Sequence, residues 1–113
     1  MGISTHVLDT SLGRPARGVP VVLEFHEPLS GWQVIGKGAT DADGRLKGLL
    51  PPQLQLRPGN YRITFDTGTW FSACRAEGFY PEVSVVFTIR DAAQHYHVPL
   101  LLSPFGYSTY RGS

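Results

Sequence analysis

The sequence has a single cysteine, Cys74, so no disulfide can form within the chain. A lone thiol fits a reducing compartment. Only 17% of the residues are charged, the formal net charge is +1, and the basic residues are scattered. That pattern excludes the dense basic face of a nucleic-acid binder and offers nothing to an anionic membrane. No apolar run approaches the length that crosses a bilayer. The opening MGISTHVLD lacks a basic stretch followed by an apolar one, so no secretory signal is expected and a cytoplasmic location is. A myristoylation start is excluded as well, because His6 stands where Ser or Thr is needed.

Several catalytic signatures are also missing. There is no G-x-S-x-G elbow and no glycine-rich phosphate loop. DADG (41–44) begins like a calcium loop, but Arg45 takes the next ligand position and the closing Glu is absent. It reads as a turn. Cys74 sits among aromatics in a helix-like stretch and reads as a small buried hydrophobe rather than a nucleophile. Trp32 and Trp70 read as core.

What is present is a globular pattern. With 42% hydrophobic residues over 113 positions, the chain is expected to form one domain, residues 1–113. Such a domain buries about two-thirds of its unfolded surface. Thirteen glycines and nine prolines cut the sequence into short pieces, most with strand alternation. The expected strands are ISTHVLD (3–9), VPVVLEFHE (19–27), WQVIGKGAT (32–40), NYRITFDT (60–67), VSVVFTI (83–89), HYHVPLLLS (95–103) and GYSTYR (106–111). RLKGLL (45–50) is expected as a short edge strand ended by Pro51-Pro52. GTWFSACRAEGF (68–79) does not alternate, and predicts one short helix over 69–77 with Gly78 as its C-cap. Short strands at this spacing imply an all-β sandwich or barrel.

The candidate chemistry gathers towards the end. His95 and His97 flank Tyr96 on a strand, so both imidazoles leave one face while Tyr96, Val98 and Leu100 face the core. The pair reads as solvated surface, as part of a zinc site completed by His6, or as a proton-transfer site. His26 belongs to no motif and reads as solvated. The final residues are unusually rich in polar side chains for a segment that commonly frays. Ser113 is therefore expected to reach the functional site, with Gly112 letting the backbone pass close to other atoms.

Two stretches go further. THVLDTSLGRPA (5–16) and YHVPLLLSPFGYST (96–109) resemble the N-terminal and C-terminal signatures of the transthyretin family. The resemblance implies a sandwich of two four-stranded sheets with one short helix. It also implies a homotetramer, with sites at the dimer–dimer interface. The family holds hormone carriers and 5-hydroxyisourate hydrolases. The carriers have lysine before Val-Leu-Asp and threonine at the second histidine of this sequence, where His6 and His97 stand. The hydrolases end in Tyr-Arg-Gly-Ser, as Tyr110-Arg111-Gly112-Ser113 does here, and Arg45 fits their pattern.

What the resemblance implies is therefore hydrolysis of 5-hydroxyisourate to OHCU (5-hydroxy-2-oxo-4-ureido-2,5-dihydro-1H-imidazole-5-carboxylate) in urate breakdown. His6, Arg45, His97 and Ser113 would be catalytic, Tyr110 and Arg45 would bind substrate, and no metal or cofactor would take part. Either His6 or His97 would be the base, with His95 a neighbour or a surface residue. Two alternatives remain: a non-catalytic carrier of a small aromatic ligand, and a zinc-dependent hydrolase.

Overall fold

The alternation becomes two stacked sheets in the computed structural model, which describes residues 2–113. In chain order the elements are β1 (Ile3–Asp9), β2 (Arg14–Pro15), β3 (Pro20–Glu27), β4 (Gly31–Ala39), β5 (Arg45–Leu46), β6 (Gly59–Phe65), α1 (Thr67–Ala73), β7 (Val83–Ile89), β8 (Tyr96–Ser103) and β9 (Gly106–Thr109). One sheet runs β4-β3-β6-β7, and the other runs β2-β1-β8-β9 with β5 also on β1. β5 pairs with Thr5 and His6, and β2 with Leu8 and Asp9. The two short strands share one edge of β1, because its other edge is taken by β8. Each sheet is thus four positions wide, as the resemblance implies.

Between the sheets lie Val7 of β1, Val21, Leu23 and Phe25 of β3, Tyr61, Ile63 and Phe65 of β6, and Val98, Leu100 and Leu102 of β8, all buried. Burying each such side chain is worth ~1.5–3 kcal/mol. A one-residue slip of β8 would expose its three core residues and push His97 inward, so the register that faces His97 outward is strongly held.

The pairing that matters for function is β1 with β8, the parallel one, running from Ile3 opposite Tyr96 to Asp9 opposite Leu102. It sets Ser4 beside His97 and His6 beside Pro99 on the outer face. The antiparallel β5 sets Arg45 beside His6.

The helix differs from expectation. It spans Thr67–Ala73 rather than 69–77, because Asp66, read as the tail of a strand, is its N-cap. The Asp66 carboxylate accepts from Thr69 N–H (3.1 Å) and from Thr69 Oγ1 (2.7 Å). Cys74, not Gly78, is the C-cap, and the chain leaves through Arg75 at φ 55°. Gly78 serves a close approach instead: a Cβ there would stand 2.2 Å from Cδ2 of Phe71. Cys74 is exposed, which corrects the expectation of a buried thiol; the helix buries Thr67, Trp70 and Phe71 instead.

The edge strand expected over 45–50 is paired only at Arg45–Leu46. Beyond it the chain turns inward to bury Leu49, whose carbonyl oxygen lies where a Cβ on Gly36 would be. The final strand likewise stops at Thr109 rather than 111.

Candidate active site

Three elements meet over the outer face of β1. Ser4, Thr5, Arg45, Lys47, His95, His97 and Ser113 line a cleft of about 340 Å³, a size suited to a small heterocycle. No lining residue is Asp or Glu, and Arg45 and Lys47 bring two cations. The cleft therefore favours an anionic or carbonyl-rich ligand.

Arg45 is placed by a tight turn. The Asp41 carboxylate accepts from the N–H groups of Asp43 (2.9 Å) and Arg45 (3.0 Å). Gly44 takes φ +74°, and its carbonyl accepts from Val7 N–H at 2.7 Å. The Arg45 N–H holds the Asp41 carboxyl below the usual carboxylate range. DADG is thus an Asx turn that delivers Arg45 to the edge of β1.

His97 is half-buried, and its ring is held on two sides. Its Nδ1 is 2.8 Å from Ser4 Oγ. On the Cδ2 side sits Gly112, where a Cβ would be only 2.6 Å from Cδ2. Gly112 N–H donates to the His97 carbonyl at 2.8 Å. The Cε1–Nε2 edge is what the ring has left for the cleft. Burial lowers the His97 pKa below the ordinary imidazole value, helped by the nearby His6, Arg45 and His95. The imidazole is therefore neutral at neutral pH and able to accept a proton.

His95 is exposed, and its Nε2 is also 2.8 Å from Ser4 Oγ. His6 does not line the cleft but flanks it, with ring centroids 6.5 Å from His6 to His97. Among the described residues no three His, Cys, Asp or Glu side chains are grouped to hold a metal ion. The nitrogens that His95 and His97 turn towards each other both face a hydroxyl.

The HIUase/Transthyretin family description matches residues 3–112. The chain belongs to this family. It is 50% identical over 111 residues to the 5-hydroxyisourate hydrolase of Salmonella dublin, covering 98% of this chain and 80% of that protein. Among solved structures it resembles 5-hydroxyisourate hydrolase of Klebsiella pneumoniae, with TM-score 0.83 and 36% identity over 98% of this chain and 92% of that one. It is as similar in shape to sea bream transthyretin in complex with thyroxine, with TM-score 0.90 and 33% identity over 97% of this chain and 93% of that one. (S)-allantoin synthase matches with TM-score 0.89 and 36% identity over 99% of this chain, which spans only 44% of that longer one. Within the HIUase/transthyretin family the fold alone thus does not separate 5-hydroxyisourate hydrolase from transthyretin, and the side chains of the cleft must.

Of the expected site residues, the cleft brings together Arg45, His97 and Ser113, with His6 alongside. Tyr110 departs from expectation. It is 57% exposed and lies with Thr109 and Arg111 beside Val85, Phe87, Tyr96 and Val98, outside the cleft lining. Its neighbour Arg111 anchors the segment, with the guanidinium 4.6 Å from the Tyr96 ring centre and Nη2 donating to Gln94 Oε1 at 2.6 Å. His26 lies on the other sheet, against the Trp32 ring at 5.0 Å.

Ser4 and Lys47 were not foreseen. Both had a signal: Ser4 is two residues before His6 and Lys47 two after Arg45, the spacing that keeps a face. Neither belongs to a motif, and Ser4 gains meaning only from β8.

Proposed function

We propose that this chain is a 5-hydroxyisourate hydrolase, using His97, Arg45, His6 and Ser113. The observation that carries the reading is a half-buried His97, its pKa held below the ordinary imidazole value, in a cleft that it shares with Arg45 and that no Asp or Glu lines, in a chain half identical to named 5-hydroxyisourate hydrolases.

The reaction follows from these groups. His97 accepts a proton from water as the oxygen attacks a ring carbonyl. Arg45 and Lys47 stabilise the charge that develops on the carbonyl oxygen. The ring C–N bond then breaks, His97 returns the proton to the departing nitrogen, and the opened product is OHCU. His6 and Ser113 orient substrate or water beside His97. No step draws on a metal.

Purified protein should accelerate the ultraviolet decay of 5-hydroxyisourate freshly made by urate oxidase, and should still do so after exhaustive chelation. A rate equal to buffer leaves the carrier reading. Loss on chelation with recovery on zinc leaves the metal reading.

The direction of the His97 shift sets the pH dependence. A depressed pKa keeps the base neutral down to a lower pH. Activity should therefore stay level at neutral pH and fall only below the ordinary imidazole range of ~6.5. A kcat/KM profile whose acid limb lies above that value would contradict His97 as the base.

The assembly we propose is a homotetramer in the cytoplasm, with residues 1–113 as its single domain. Among the described residues β7 and β9 each end a sheet with an unpaired edge, a ready surface for another chain. Phe79, Phe105 and Tyr107 are exposed nearby in sequence, and the cleft is open to solvent. Light scattering should give a mass near four times 12.4 kDa. A fully active monomer would contradict a site shared between subunits.

A further inference from the structure

Ser4 is 7% exposed, and its hydroxyl lies 2.8 Å from a nitrogen of each of two imidazoles. A hydroxyl has one proton to give. No other acceptor meets the Ser4 hydroxyl among the described residues, so its proton goes to one of these two nitrogens, and the other nitrogen must then carry a proton of its own. Two arrangements satisfy this. In the first, His97 Nδ1–H donates to Ser4, and Ser4 donates to His95 Nε2. In the second, every proton is reversed, and His97 is left with its proton on Nε2.

We propose that Ser4 and His95 are positioning residues that hold His97 in the first arrangement, with the Nε2 lone pair turned to the cleft. This rests on the hydrolase reading above. Two features of the site favour it, and a third permits it. The Nδ1 side of His97 is taken by Ser4 and the Cδ2 side by Gly112, so Nε2 is the nitrogen left for the cleft. The cations there, Arg45 and Lys47, donate hydrogen bonds and cannot accept one, so a lone pair suits them and an N–H does not. His95 is exposed, so water can serve its other nitrogen in either form.

Ser4 itself is placed poorly for attack. It is almost wholly covered, and its proton and one lone pair are engaged by the two rings. Its part is to tie the tautomer of His97 to that of His95.

The consequence is unusual in sign. Without His95, the buried Ser4 proton has only His97 Nδ1 to go to, and that turns His97 into the Nε2–H form, a donor in place of a base. Losing the exposed histidine should therefore harm catalysis more than losing the buried serine. His95→Leu should lower kcat roughly 10²-fold with KM little changed, as removal of a working base does. Ser4→Ala, which frees both tautomers, should lower kcat only about 10-fold, within the reach of partial loss of the base. His95→Gln keeps an acceptor and should restore most of the rate, as should Ser4→Thr.

The direct test is nitrogen NMR of ring-labelled protein. Wild type should show His97 protonated at Nδ1, and His95→Leu should move the proton to Nε2. This measurement does not depend on activity, so it still decides the tautomer if wild type fails to hydrolyse 5-hydroxyisourate. Wild-type His97 protonated at Nε2, or His95→Leu with unchanged spectrum and turnover, would overturn the proposal. So would a mass spectrum showing substrate covalently attached to Ser4, which would make Ser4 the nucleophile. His95 lies on the surface, so its variants keep the fold and the test does not hang on Ser4→Ala.

Discussion

His97→Asn should slow turnover of 5-hydroxyisourate roughly 10²–10⁴-fold, about 3–5 kcal/mol of barrier. Asparagine keeps a polar group of similar reach and can still meet Ser4 Oγ, which is 2.8 Å from Nδ1 in the parent. It cannot take a proton from water near neutral pH. The loss should fall on kcat, with the melting temperature close to wild type, because His97 is only half-buried and faces away from the core. Arg45→Lys should also be damaging. It keeps the charge but not the planar fork that can hold two oxygens at once. Near wild-type rates for both variants would mean that the cleft is not where the chemistry happens.

The second large effect is expected at a residue without a side chain. Gly112→Ala puts a methyl group 2.6 Å from His97 Cδ2, closer than carbon atoms approach, so the ring must move. Displacement of a catalytic group by about 1 Å can cost on the order of 10²-fold in rate. The fall should appear in kcat while stability barely changes, since the segment around Gly112 is largely exposed. Deleting Gly112 and Ser113 should be as severe. It removes the hydrogen bond to the His97 carbonyl and takes Ser113 out of the cleft. Circular dichroism and melting temperature should stay near wild type. Unchanged turnover in either variant would reduce the segment to scaffold.

Much of the fold was legible because strands write their faces into the sequence. β3 alternates Val21, Leu23 and Phe25 inward, and β7 starts and stops at the residues where alternation does. The helix was legible in kind but not in extent. Asp66 looked like strand, and only its side chain turning back to Thr69 makes it a cap. Cys74 was misplaced for the same reason, since a helix that ends one turn earlier leaves it at the exposed end.

The site divides differently. His6, Arg45, His97 and Ser113 could be picked out by motif. The relation of Ser4 to His95 and His97 could not, because those partners are 91 and 93 residues away along the chain. Nor could the position of Tyr110, which alternation sends to a face without saying what that face meets.

By itself, then, the sequence determined which side of each strand is wet. Alternating apolar residues must leave water, and that local partition turns His97 outward whatever lies beside it. Only the tertiary structure decided its company. The parallel pairing of β1 with β8 slides Ser4 against His97, the Asx turn swings Arg45 to the opposite edge of β1, and Gly112 closes over the ring. Those contacts join distant segments. They exist because two sheets can bury their inner faces together in one register, and no stretch of the chain specifies that alone.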